Sequence, residues 1–374
     1  MKLFSFLPAA VLAALSASAH AQSAVTLFGV ADAALTRGTG SGAGATDRTQ
    51  LTSGGLSTSR IGMRGTEDLG GGMAAAFWLE AGISLDTGLG GSTSTNNQAA
   101  GTTAAGAGTQ GIMFNRRSTV SLMGNWGELR LGRDYNPQFW NLFFFDPFGS
   151  VGVGTSLAHI DAYGANPIGA GGPYARGGGV NGLGVRSSNS IGYLLPSQLG
   201  GVYGQAQYFM GENPQNSAAN EKDGSGFGLR LGYMAGPLNV AASYQLSKFA
   251  AGDVRASNIG ASWDFGIAKA SALYNRDSAA GQSGSAWVLG TNVPVGSGEV
   301  RASYSQLVTK AGAVDARARK FALGYVHNLS KRTAVYTTYA RVTNSGGQSI
   351  ALGGATTAVN QPSSGFDVGI RHTF

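Results

Sequence analysis

The sequence predicts an all-β chain, a 16-stranded antiparallel transmembrane β-barrel with a long third loop folded inward. Three observations lead there. Apolar and polar residues alternate with a period of two from Val25 onward. Segments of about ten residues end in clusters of Gly, Asn, Asp and Pro. Short connections near Gly70, Asn125, Pro196, Pro237, Gly266, Gly296 and Ser330 exchange regularly with long Gly/Ser/Thr/Asn-rich ones over 38–54, 86–111, 211–224 and 344–365. A sheet trimmed at one end and elaborated at the other has the short periplasmic turns and long extracellular loops of a membrane barrel.

Composition narrows the class. The 374 residues include 61 Gly and 43% hydrophobic side chains, too apolar for a disordered chain. There is no Cys, which excludes a disulfide framework, an iron–sulfur cluster and any thiolate nucleophile or metal site. After residue 21 no apolar run approaches the roughly 18 residues of a membrane helix. Lys and Arg number 26 against 19 Asp and Glu, a net +7. That balance suits an anionic partner without identifying one, and nucleic acid is a poor candidate because the basic residues are scattered singly.

Residues 1–21 read as a secretory leader. Lys2 precedes an apolar stretch from Leu3 to Leu15, and Ala19-His20-Ala21 sets a cleavage site before Gln22. Residues 22–374 then form a single barrel domain. Its first clear hairpin alternates Arg60, Gly62 and Arg64 against Ile61 and Met63, turns at Asp68 to Gly72, and returns with Phe77, Leu79 and Ile83 opposite Trp78 and Glu80. Further hairpins span Arg117 to Gly132, Leu229 to Ser247 and Lys320 to Arg341, and the last strand runs from Gly365 to Phe374. About fourteen segments read clearly as strands; two near Trp287 and Val300 read weakly. Roughly 22 residues per strand and connection gives sixteen. An open sheet of that size would curl or split, and hydrocarbon does not tolerate its unpaired edges.

Parity assigns the faces, because an Arg facing lipid near the midplane costs roughly 2–4 kcal/mol. Asp32, Arg60, Arg64, Glu80, Arg117, Arg130 and Arg301 are therefore placed on the pore wall. Ile61, Met63, Leu79, Val120, Leu122, Leu129, Leu131 and Tyr304 face lipid or a neighbouring subunit. The longest non-repetitive stretch, 134–186, begins near RDYNPQFWNLFFFDPFGS. Its six aromatic rings between Phe139 and Phe148 must pack against something. The expectation is a constriction loop inside the barrel that presents Asp134, Asp146 and Asp161 to the opening. Acidic groups facing wall arginines would set up a transverse field, with unit charges at 4 Å interacting by about 4 kcal/mol at an effective dielectric of 20. A water-filled channel for small hydrophilic solutes and ions follows, leaning towards anions.

At these residues the chain resembles the general porins of Gram-negative outer membranes, of the β-proteobacterial type. The similar stretches are VTLFGVADA, SRIGMRGTEDLGGGMAAAFWLEAG, FNRRSTVSLMGNWGELRLGRDYNP, RSSNSIGYLLP and VGIRHTF, spread over nearly the whole mature chain. The resemblance implies a homotrimer in the outer membrane, among lipids that include lipopolysaccharide, and passive diffusion through each pore. It places Arg60, Arg64, Arg117 and Arg130 on a basic wall and the stretch from Asp134 on the inward loop. Two departures bear on pore size and charge: glycine is dense from Gly164 to Gly184, and Arg116-Arg117 doubles a basic position. Terminal Phe374, in parity with Ile370, Val368 and Phe366, resembles the signal by which such barrels are recognised for assembly.

No catalytic constellation is marked. His159, His327 and His372 lie in separate segments without metal-ligand spacing, so no metal site and no cofactor is implied. The string GLGGST from Gly88 lacks the Lys of a phosphate loop. The rival readings are a solute-selective channel, a receptor or adhesin barrel that displays its loops, and an outer-membrane hydrolase, for which no Ser/His/Asn triad is signalled.

Overall fold

The computed structural model describes residues 24–91, 113–162, 184–216, 219–250, 252–279 and 281–374. The expected leader lies outside the described residues. The elements are β1 (Ala24–Thr39), β2 (Arg48–Ser53), β3 (Arg60–Gly70), β4 (Met73–Gly82), β5 (Arg117–Gly124), β6 (Gly127–Tyr135), two short helices α1 (Pro137–Phe144) and α2 (Leu157–Ala162), β7 (Arg186–Leu194), β8 (Val202–Phe209), β9 (Gly226–Ala235), β10 (Leu238–Ser247), β11 (Val254–Asp264), β12 (Lys269–Ala279), β13 (Gln282–Val295), β14 (Gly298–Ala311), β15 (Val314–Asn328), β16 (Thr333–Ser345) and β17 (Ser363–Thr373).

From β3 on, each strand pairs antiparallel with the next, and β17 returns to β1 over Val30↔Thr373 to Thr39↔Ser364, which closes the cylinder. Both β2 and β3 lie on β1, β2 along Ala33–Gly38 and β3 along Ala24–Val30. They are two halves of one position, so the barrel is sixteen strands around, as the sequence predicts. The break between them has a physical cause. The chain leaves the sheet at Gly54, whose φ of 83° is in the left-handed region. It is held outside the ladder by Asp32, whose carboxylate accepts the N–H groups of Leu56 at 2.9 Å and Ser57 at 2.6 Å.

The outer surface carries the expected alternation. Val25, Leu27 and Leu35 on β1, Leu229 and Leu231 on β9, and Phe366, Val368 and Ile370 on β17 are all exposed, with polar or small residues between them facing in. The largest apolar cluster lies on that inward side. Leu142, Phe145, Phe148, Val153 and Leu157 from 137–157 pack on Ala241, Leu273, Val288, Leu307, Ala322 and Val342 of the strands. Helix α1 rests on β8–β11 and α2 on β12–β15. Five strand glycines receive this segment: a Cβ at Gly228 would crowd Pro137, one at Gly260 would overlap the Phe145 ring, one at Gly290 would overlap Pro147, one at Gly324 would crowd Phe148 and one at Gly365 would crowd Val153. They sit on β9, β11, β13, β15 and β17, so consecutive parts of the segment dock on alternate strands.

The two strands that read weakly in the sequence are among the longest, with 14 residues each in β13 and β14. Their inward positions Ala286, Val288 and Leu307 face the apolar cluster. In β13 alternation is lost because both faces are apolar around Trp287; β14 keeps polar inward residues, Arg301, Ser303 and Ser305, against outward Val300, Ala302 and Tyr304.

Candidate pore constriction

The adjacent strands β3, β4, β5 and β6 bring one set of charges to the inward face. Register pairs Gly62 with Glu80, Glu80 with Arg117, and Ser121 with Arg130. Every second residue from these positions faces the same way, while Met63, Val120, Leu122, Leu129 and Leu131 are exposed on the other face. Glu80 sits between two arginines, with Arg116 Nε at 2.5 Å from its Oε1 and Arg60 Nε at 3.7 Å. Arg130 grips Glu128 through Nε and Nη2, both at 2.8 Å, and donates from Nη1 to Asp134 at 2.6 Å. Arg117 stands further from the same carboxylates, 3.9 Å from Glu128 and 3.7 Å from Asp134. Arg64 is on the same face, nearer the β3–β4 turn, with its guanidinium over the rings of Phe28 at 5.4 Å and Trp78 at 4.8 Å.

Arg301 lies on β14 and bonds Glu299 at 2.6 Å. Asp32 is on the inward parity of β1 but is fully buried. It accepts from Tyr336 at 2.5 Å besides the Leu56 and Ser57 N–H groups, so it is a structural anchor and not a charge open to the lumen.

The acidic constriction expected from sequence is not what 134–162 presents. Asp134 is the penultimate residue of β6, part of the wall itself and buried against Arg130. Asp146 is buried and accepts the N–H groups of Phe148 and Ser156, each at 2.9 Å. Its burial pushes the carboxyl above the usual range. Its carboxylate folds the segment instead of facing solute. Asp161 belongs to α2, but its side chain lies outside the described residues.

What α1 offers is aromatic. Pro at N1 fixes its start, and the four-residue spacing stacks Trp140 on Phe144, with centroids 5.7 Å apart and planes 22° apart. Phe143 and Phe144 are 39% and 47% exposed. A cavity of about 770 Å³ separates the two sides. Arg60, Glu80, Arg116 and Arg117 form one flank, Trp140, Phe143 and Phe144 the other, and Asn292, Glu299 and Arg301 complete the wall.

Several contributors carry no signal in the sequence pattern that singles them out. Glu128 closes the Arg117–Arg130 cluster from beside a short turn. Arg230 on β9 donates to Asn141 Oδ1 at 2.7 Å and lies 5.5 Å from the Phe144 ring. Lys320 on β15 is buried and donates to the Thr155 carbonyl at 2.5 Å. Asp367 on β17 accepts from the Val153 N–H at 2.8 Å and from Thr36 at 2.7 Å. Parity marks all four as inward, but Arg230, Lys320 and Asp367 have partners on a segment whose path no periodicity encodes. His159 is enclosed beside Phe139, and burial with the nearby Arg186 and Lys320 charges lowers its imidazole to about 3. Among the described residues no group of His, Asp and Glu could hold a metal ion. Phe374 forms the last rung of closure, exchanging backbone hydrogen bonds with Gly29 at 3.0 and 3.1 Å.

Residues 9–347 match the protein family described as Gram-negative porin. The chain is 37% identical over 387 residues to outer membrane porin protein 32 of Delftia acidovorans, covering 99% of both. It is 29% identical to an outer membrane porin protein of Bordetella pertussis, covering 89% of this chain and 92% of that one. Among solved structures it is similar to the anion-selective porin from Comamonas acidovorans, with 34% identity, a TM-score of 0.78, and coverage of 94% of this chain and all of that one. OmpT of Vibrio cholerae, at 13% identity and a TM-score of 0.62, over 95% of this chain and all of that one, shares the fold.

Proposed function

The chain belongs to the Gram-negative porin family, and on that footing we propose that its channel favours small anions. It is a porin of the outer membrane, a barrel through which ions and small hydrophilic solutes diffuse passively. The observation that carries the anion preference is the make-up of the cavity's two flanks. Arg60 and Arg117 line one, and the facing helix, PQFWNLFF, holds no acidic residue to offset them. Arg116 and Arg186 add charge around Tyr135. Cations clustered on low-dielectric walls raise the local anion concentration. A relative at 34% identity is described as anion-selective, in keeping with this reading. The segment 136–162 acts as the constriction loop, neutral and aromatic where it meets solute.

Planar bilayers test it. In a KCl gradient the reversal potential should have the sign of a chloride-preferring pore, and Arg60→Ala with Arg117→Ala should move it towards potassium. An unmoved potential would remove both residues from the filter.

We further infer cleavage of residues 1–21 on export, assembly as a homotrimer, and contact with lipopolysaccharide at the long-loop rim. Arg255, Arg317 and Arg341 stand exposed on the outward face at that rim. The matched relatives are porins, and the chain is read as a channel with no catalytic step, for which phospholipid turnover should be nil.

A further inference from the structure

Two features of the constriction exceed what passing chloride requires. The first is that its arginines are not equivalent. Arg116 and Arg130 are committed to carboxylates at 2.5–2.8 Å. Arg60 and Arg117 stand 3.7–3.9 Å from theirs and border the cavity; Arg60 Nη1 donates to the Thr58 carbonyl at 2.9 Å and Arg117 Nε to Thr119 Oγ1 at 3.0 Å, which leaves further N–H groups of each to donate to an anion. The second is the aromatic shelf of α1. Trp140 and Phe144 are stacked within 22° of parallel and Phe144 is 47% exposed, in a cavity whose opposite flank carries Arg60, Arg116 and Arg117. Phe144 also meets Phe143 edge-on at 5.4 Å and carries the Arg230 guanidinium at 5.5 Å, and the ring surface left exposed faces the cavity.

The geometry points to a binding site for aromatic carboxylates in the constriction, the ring of the solute packing on Trp140 and Phe144 while its carboxylate meets Arg60 and Arg117. The assignment deepens the anion-favouring reading and rests on it. A flat anion satisfies both flanks at once, whereas an aliphatic carboxylate satisfies only the arginines and an aromatic cation only the rings. The cavity of about 770 Å³ admits a single-ring solute with water around it. Planar rings gain from offset stacking beyond simple burial, and a guanidinium–carboxylate contact fixes orientation.

The test uses the full barrel in planar bilayers. Benzoate and acetate, which carry the same charge, are titrated against the single-channel chloride current. Benzoate is expected to interrupt the current at concentrations on the order of ten-fold lower than acetate. Trp140→Leu with Phe144→Leu, which keeps an apolar helix face, should bring the two anions together when each is scaled to that variant's own chloride conductance. Equal block by benzoate and acetate in the unmodified protein, or a benzoate preference that survives the double substitution, would overturn the site. A potassium-preferring reversal potential in KCl alone would overturn the anion reading beneath it.

Discussion

Arg60, Glu80, Arg117 and Arg130 are assignable from parity because a charge on a membrane strand has one affordable face, and the neighbours that set the parity are adjacent in sequence. Asp32 satisfies the same parity and has a different role, since the Leu56–Ser57 detour that covers it is a tertiary event. Asp146 departs from expectation for a related reason: a carboxylate in a loop is equally able to face solute or to accept local N–H groups, and only the folded path decides. His159 gives this scale its measurable consequence. Its enclosed ring stays neutral down to about pH 3, whereas a released loop would carry an imidazole titrating near 6.5. The undocked loop therefore takes up the extra proton, and docking weakens as pH falls from about 6.5 towards 3. Channel noise should rise over that window, and His159→Gln should flatten the rise. A variant as noisy as the parent at about pH 4, inside the window set by linkage, would show that another group controls the loop.

Among the elements, the segment 136–162 depends on shape complementarity with the strands beneath it. The Phe145 ring occupies the space a side chain at Gly260 would need. Gly260→Leu should lift the segment from β11, and unit conductance should increase with poorer discrimination between anions and cations; an unchanged step size would mean the segment tolerates the intrusion. The same docking explains which strands the sequence conceals. Hairpins such as β3–β4 show both faces in their alternation, one wet and one greasy. In β13 the inward Ala286 and Val288 lie under the loop's apolar residues, so the polar half of the pattern is missing there, whereas β14 keeps it in Arg301, Ser303 and Ser305. The split of one position into β2 and β3 is unreadable in the sequence because it depends on Asp32, which is remote from the 54–59 break.

For the whole molecule, closure is legible in kind: sixteen positions and an end-to-end meander leave the first and last strands to meet. That pairing is the most non-local in the chain, and its last rung is the Gly29–Phe374 exchange. Such contacts form late and slowly. Deleting Phe374 should lower the fraction of chain recovered as folded barrel far more than it alters the conductance of those that form. A yield equal to the parent would separate the terminal residue from assembly.

The lumen is eccentric. With 137–157 resting on β8–β16, the wet passage is pushed towards β3–β6, and Lys269, Asn292, Glu299 and Arg301 near one end of β12–β14 reach it from the far side. A permeating ion thus travels along an offset lane, with guanidinium groups on one shoulder and hydrocarbon on the other. Bulk added at Leu273, Ala286, Val288 or Leu307 would press on packed protein, whereas the same bulk on the inward face of β3–β5 would stand directly in the current.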